Sequence, residues 1–236
     1  NRYGVTPGKQ VAIFTNNDDG WRTATDLAAK GVDISAVIDA RDIEPPASVA
    51  GAAVYMGSSV VDTAGRKGLN SITLASGERI ESDCLAVSGG WNPNVHLTCH
   101  QRGKPQWRDE INAFVPGGTL PAGMRVAGAA NGALSLGAAL RDGTDCALSL
   151  LADVGIKSKA SKAPTASDEA HRSSAYWHVS ESRARAWLDM QNDVTVKDIK
   201  QSYKEGFRSV EHLKRYTTLG MATDQGKTSN IPALAI

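Results

Sequence analysis

The sequence predicts an α/β fold with a Rossmann-like unit at its start and a small helical unit at its end. Three observations carry this. An apolar, β-branched run, Gln10 to Thr15 (QVAIFT), is followed by helically spaced apolar positions and then by a second such run, Asp33 to Asp39 (DISAVID). Strand, helix and strand within about 30 residues make a βαβ unit. The 23 glycines and a low aromatic fraction of 6% suit tight turns between short elements. Near the C-terminus, Thr195 to Lys204 and Ser209 to Gly220 carry helix start and stop signals.

With 236 residues, 41% hydrophobic and 22% charged, the chain has the composition of an ordinary globular protein with room for a real core. A formal net charge of +1 gives no electrostatic reason to expect nucleic acid or acidic lipid as a partner. Cys84, Cys99 and Cys146 are widely spaced and form no C-x-x-C pair, so a disulfide framework is not expected and a reducing cytoplasm is the simplest location. No apolar run approaches a membrane span, and no signal peptide is read at the start. The chain opens on Asn1-Arg2-Tyr3-Gly4 without Met and ends on the apolar run Ile231 to Ile236, so it is read as an excerpt.

Within the first unit, Trp21, Ala24, Leu27 and Ala28 share one face of a helix over Gly20 to Lys30, and Gly31 stops it. Val54 to Tyr55, Ile72 to Leu74 and Cys84 to Ser88 read as further strands, with turns at Gly65 to Gly68 and Ser76 to Glu78. The alternation from Ser71 to Leu74 fits an antiparallel meander. Met124 to Ala127 (MRVA) reads as a strand feeding Gly128-Ala129-Ala130-Asn131-Gly132, with a helix through Ala133 to Leu151. Lys157 to Ser167 is rich in Lys, Ser, Ala and Pro without periodicity, the composition of a linker or tether. Ala175 to Val179 and Ala186 to Met190 are extended candidates. Thr195 with Asp198 then resembles a capping box, and Ser209 is a candidate N-cap.

A nucleotide fingerprint needs glycines at the strand-to-helix turn, where backbone amides approach a pyrophosphate. The turn here is Phe14 to Gly20 (FTNNDDG). Asp18 and Asp19 put negative charge where phosphate would go, and like charges at about 4 Å repel by roughly 1 to 4 kcal/mol. Asp39 lies where a ribose-binding acid would sit. This unit is therefore read as Rossmann-like without a nucleotide. Gly128, Ala129, Ala130, Asn131 and Gly132, ahead of a helix, form the better phosphate candidate, although glycine-rich strand exits are common. His96, Cys99 and His100 have no fourth ligand at sensible spacing and are read as loop residues, not a metal site. His178 and His212 are isolated, and no catalytic grouping stands out.

Asp189 to Thr195 (DMQNDVT) and Glu205 to Asn230 (EGFRSVEHLKRYTTLGMATDQGKTSN) closely resemble the alpha subunit of heterotetrameric sarcosine oxidases, just before its folate-binding domain. Asn16-Asn17-Asp18, Ala36 to Arg41 (AVIDAR) and Ser88 to Pro93 (SGGWNP) resemble the same subunit in the same order. The resemblance implies oxidative demethylation of sarcosine to glycine with peroxide formation, the one-carbon unit leaving as formaldehyde or passing to tetrahydrofolate. It implies NAD on this subunit, FAD and FMN in the complete enzyme, tetrahydrofolate in a domain outside this chain, and beta, gamma and delta subunits as partners. It also implies a disulfide-reductase-like plan: an inserted Rossmann-like domain (1–88), the C-terminal part of an outer dinucleotide-binding domain (89–156), a linker (157–180) and a small helical domain (181–236).

The small domain also resembles 2Fe-2S ferredoxin-like domains with Cys-x-Cys before Val-Thr and Gly-Met-Gly-x-Cys-Gln-Gly-x-x-Cys. Laid onto Val194-Thr195 and Gly220-Met221, the ligand positions become Asp189, Gln191, Asp224 and Ser229. None is a thiolate, so no iron–sulfur cluster is expected. The expected role is an NAD-binding and assembly scaffold without catalytic residues of its own, which self-associates when isolated. A purely structural assembly module and a subunit of an opine or amino-acid dehydrogenase are the alternatives.

Overall fold

The computed structural model describes residues 3–100, 102–158 and 162–236. β1 (Gln10–Thr15) is one of the two inner strands of a four-stranded parallel sheet of order β3-β2-β1-β7. β2 (Asp33–Asp39) lies on one side of it, followed by β3 (Ala53–Met56). The three strands β4 (Val60–Ala64), β5 (Ser71–Leu74) and β6 (Arg79–Glu81) intervene before β7 (Cys84–Ser88), which pairs with the other side of β1.

Both faces of this sheet are covered, which is why β1 and β2 are apolar almost throughout. α1 (Asp18–Ala29) packs on one face, bringing Trp21 and Ala24 against Val11, Ile13, Ile34 and Val37. On the other, the antiparallel meander β4-β5-β6 sets Val60, Ile72 and Leu74 against Ala12, Ala36 and Ile38. Residues 11 and 13 thus face the helix and residue 12 the meander, as the two-residue strand period requires. The edge strands β4 and β6 do not stand out in the sequence. They are short, partly exposed and carry Asp62, Thr63, Arg79 and Glu81, so only their pairing with β5 defines them.

A β-hairpin, β8 (Gln106–Arg108) and β9 (Ala113–Val115), comes next. The expected strand at Met124 to Ala127 is not formed: these residues pair with no strand among the described residues, and a strand without a ladder partner leaves its amides unpaired. Gly128–Asn131 forms a single 3-10 turn, and α2 (Leu136–Asp153) starts at N-cap Ser135, later than the expected Ala133.

The C-terminal unit consists of β10 (Trp187–Asp189), β11 (Val194–Thr195), α3 (Val196–Lys204), α4 (Val210–Thr217) and α5 (Asn230–Ala235). Its core is Val194, Ile199 and Leu219, flanked by Leu188, Leu213 and Ala233. Thr195 and Asp198 form the expected reciprocal capping box. Ser209 stands at the expected N-cap of α4 without a side-chain capping bond. Ala175 to Val179 runs without a strand partner, whereas Trp187–Asp189 is a strand as expected.

Part of the expected linker, 159–161, lies outside the described residues. From Asp168 onward that segment is not a free tether. Asp168 accepts hydrogen bonds from Ser135 (2.8 Å) and Arg141 (2.6 Å), and the chain then runs as a strap across the first unit. No helix among the described residues is long and apolar enough to cross a membrane.

Candidate functional site

In an open parallel sheet, ligands bind beyond the carboxyl ends of the strands where the strand order reverses. Here that point lies between β1 and β7, since β2 and β3 lead away on the other side. The side chain of Asn17 occupies it. Its Oδ1 accepts from the amides of Asp19 (3.0 Å) and Gly20 (3.3 Å) and from the Ser88 hydroxyl (3.1 Å). Its Nδ2 donates to the Ser88 carbonyl at 2.9 Å. The amides at the start of α1, which would hold a pyrophosphate in a nucleotide-binding turn, are thereby satisfied from within. Gly20 retains the role of the glycine that lets helix and strand approach, because a Cβ there would fall inside the Thr15 side chain.

The strap closes what remains of the crevice. Asn16 Nδ2 donates to the Ser174 carbonyl (2.7 Å) and the Ser174 amide to the Asn16 carbonyl (3.0 Å). Asn17 and Ser173 form an antiparallel bridge. The Asp18 amide donates to the Arg172 carbonyl, and the Arg172 amide returns to the Asp18 carboxylate, each at 3.0 Å. Further along, the ring of Tyr176 meets that of Phe14 edge-on at 6.1 Å.

The turn is unsuited to phosphate, as expected, but for a different reason than the charge of Asp18 and Asp19. Asp18 is buried and compensated, with Arg41 at 2.9 Å on one oxygen and Arg172 at 3.0 Å on the other. Desolvation would raise its carboxyl pKa, but the hydrogen bonds from Arg172 and Arg41 outweigh burial and hold it below the usual value. Asp19 pairs with Arg22. What fills the phosphate position is the Asn17 amide and the strap. Nor is Asp39 free for a ribose: it is fully buried, accepting from Trp21 Nε1 (2.7 Å) and from the Arg41 side chain.

The second turn, Gly128 to Gly132, is placed differently. It precedes α2 by several residues and so is not the start of that helix. The Gly128 amide donates to Asp142 on α2 at 2.8 Å, and Asn131 Nδ2 to the same carboxylate at 3.2 Å. Gly132 adopts φ +83°, a left-handed conformation suited to glycine. On its outer side, Ala129 and Ala130 border a cavity of about 390 Å³ shared with Asp19, Trp91, Leu134 and His171. A second cavity of about 500 Å³ lies where the units meet, between Gly89, Gly90, Tyr176, Trp177 and Lys227.

At three of the four ligand-equivalent positions of the C-terminal unit, side-chain hydrogen bonds stand where the ferredoxin-like pattern has thiolates. Asp189 is buried and accepts from the amides of Gln191 (2.9 Å), Asn192 (3.1 Å) and Gly220 (2.8 Å). Gln191 accepts from the Thr223 hydroxyl at 2.7 Å, and Asp224 from that of Thr228 at 2.7 Å. The buried Ser229 hydroxyl has no partner. These residues do not fit an iron–sulfur cluster. Among the described residues no three His, Cys, Asp or Glu side chains converge as metal ligands. His96 faces Asn94 (2.6 Å), and Cys99 Sγ faces the Val95 carbonyl (3.5 Å).

His171, Trp91, Arg41 and Arg172 do not stand out in the sequence. Apart from the Arg41–Asp39 pair, their partners lie far along the chain, so local spacing does not mark them. The one available signal is the unusually polar run Asn16 to Asp19 at the end of an apolar strand, which demands partners from elsewhere.

Residues 183–236 match the family described as the sarcosine oxidase A3 domain. All of the chain aligns with the sarcosine oxidase subunit alpha of Rhizobium meliloti (strain 1021), at 42% identity over 244 residues, covering 24% of that protein. It is likewise 35% identical over 258 residues to the sarcosine oxidase subunit alpha of Corynebacterium sp. (strain P-1), covering 26% of it. The chain thus spans about a quarter of the length of these relatives. Among solved structures, L-proline dehydrogenase from P. horikoshii matches 99% of this chain and 45% of its own, with a TM-score of 0.69 at 17% identity, a likeness of fold.

Proposed function

We propose, from the premise that this chain is a relative of sarcosine oxidase alpha subunits along its whole length, that it is the nucleotide-holding and assembly segment of such a subunit. It would support oxidative demethylation of sarcosine without supplying the catalytic residues. One observation carries the reading. Of the two turns weighed for a nucleotide, the one after β1 is filled by Asn17 and the strap, while Ala129 and Ala130 of the Gly128 turn border an open cavity.

On this reading NAD lies against Gly128, Ala129, Ala130, Asn131 and Gly132. Small side chains there let the backbone come close to a ligand. NAD brings hydride-transfer chemistry when bound; this chain's part is to hold and orient it. Asp142 competes for the Gly128 amide and must yield it to a phosphate oxygen. FAD and FMN belong to the complete enzyme with the beta subunit, tetrahydrofolate to a domain outside this chain, and gamma and delta subunits complete the assembly. The C-terminal unit is a ferredoxin-like domain in which three of the four ligand positions, Asp189, Gln191 and Asp224, carry hydrogen bonds instead.

Calorimetric titration with NAD tests the proposal. Saturable binding is expected, abolished by Gly128→Asp and tightened by Asp142→Asn, which removes the competing charge. No saturable binding, or equal affinity in Gly128→Asp, would overturn it.

A further inference from the structure

The cavity beside Ala129 and Ala130 has two features that the turn alone does not explain. The His171 side chain is only 9% exposed, and its Nδ1 lies 3.2 Å from Asp19 Oδ2. A carboxylate accepts but does not donate, so it favours the proton on Nδ1 and leaves Nε2 as a lone-pair acceptor. Nε2 has no hydrogen-bond partner among the described residues. Burial, reinforced by the positive charge of Arg22, lowers the pKa of this ring against the pull of Asp18, and keeps it neutral at neutral pH.

Trp91 is 65% exposed yet fixed, because its indole N–H donates to the same Asp19 oxygen at 2.6 Å. One carboxylate therefore orients both an aromatic face and an imidazole toward a single space. Pro93 and Leu134 add apolar lining, and no Lys or Arg is among the lining residues. With Asp19 in the wall and Asp142 behind the Gly128 turn, this space favours an uncharged ligand over a phosphate. At about 390 Å³ it falls near the lower end of the roughly 300–1,000 Å³ range of ligand pockets, a size for a nucleoside more than for a whole dinucleotide.

We infer that this cavity seats an uncharged planar heterocycle of the nucleobase class, stacked on Trp91 and donating an N–H to Nε2 of His171. The inference rests on the nucleotide reading above and deepens it: the base is read here, apart from the Gly128 amide. A hydrogen bond from the ligand to Nε2 is lost when the imidazole is removed, so binding should weaken about tenfold, the equivalent of about 1.4 kcal/mol.

Equilibrium dialysis of the full chain with adenosine, run in parallel with NAD, tests this. Adenosine should bind saturably, about tenfold more weakly in His171→Leu and in Trp91→Leu, with partial recovery in His171→Gln, whose amide oxygen can still accept. Matched circular dichroism melts establish that the variants fold, and exposed Trp91 can be changed without opening the core. If both ligands bind but neither Leu variant weakens them, the seat is wrong and the nucleotide reading stands. NAD binding without adenosine binding overturns this inference alone. Failure of both ligands to bind removes both.

Discussion

Asp18 and Arg172, 154 positions apart, are joined three ways: the amide of each reaches the backbone or side chain of the other, and Arg172 Nε lies 3.0 Å from the Asp18 carboxylate. The other carboxylate oxygen meets Arg41, which also clasps fully buried Asp39. The strap therefore completes the charge balance of the first unit as well as filling its crevice.

Removing one member of a buried ion network leaves its partners charged and unpaired, a loss of about 3–5 kcal/mol. Asp18→Ala should destabilise the chain by that order in urea unfolding. Arg172→Ala should cost only about 0–1 kcal/mol, because its side chain is 61% exposed and its backbone contacts remain. Equal losses in the two variants would show that the Asp18 carboxylate contributes little beyond its bond to the strap.

Acid should act through the same carboxyl. Asp18 has a depressed folded-state pKa, so its stabilisation is fully present above the unfolded value near 3.9 and is lost as pH falls through the lower folded value. Stability should fall below about pH 4 in the native chain. Asp18→Asn should be weaker at pH 7 and show a shallower acid limb in fluorescence-monitored unfolding. An unchanged acid limb would assign the effect to other groups.

Gly20→Ala tests the helix–strand contact. The added methyl meets the Thr15 side chain at the base of α1, and overpacking there should cost about 1–3 kcal/mol. The double variant with Thr15→Ser should recover little of the loss, because the two nearest Thr15 atoms, Oγ1 and Cβ, remain in place. Melting temperatures of the two variants decide it.

In the C-terminal unit, Asp189→Ala strands three backbone amides, two of the hairpin and one at Gly220. A loss of about 2–3 kcal/mol is expected, and Asp189→Asn, keeping one acceptor oxygen, should lose less. Hydrogen exchange at the Gly220 amide should rise in both. Protection retained at that amide in Asp189→Ala would contradict the view that this carboxylate ties the hairpin to the loop.

The βαβ unit, the meander turns and the capping box of Thr195 and Asp198 are legible because each is written locally, in strand periodicity, turn residues or three-residue spacing. Met124 to Ala127 shows the limit of local signals. Its apolar pattern suits a strand, but a strand exists only when a neighbour accepts and donates along its length. Likewise Gly128 to Gly132 is recognisable as a special turn, while its separation from the start of α2 and the seat of Asp142 on its amide are not.

From residues alone follow the α/β class, the lack of thiolates at the ligand-equivalent positions, and a first turn unsuited to phosphate. The tertiary structure decided why that turn is unsuited. Buried amides and carboxylates take partners wherever folding brings them, and those of Asn16, Asn17 and Asp18 are met by residues 172–174, which the sequence places only within a linker. It also brought Asp19, Trp91 and His171 around one cavity, since electrostatic and hydrogen-bonding complementarity depend on distance in space and leave no trace in sequence spacing.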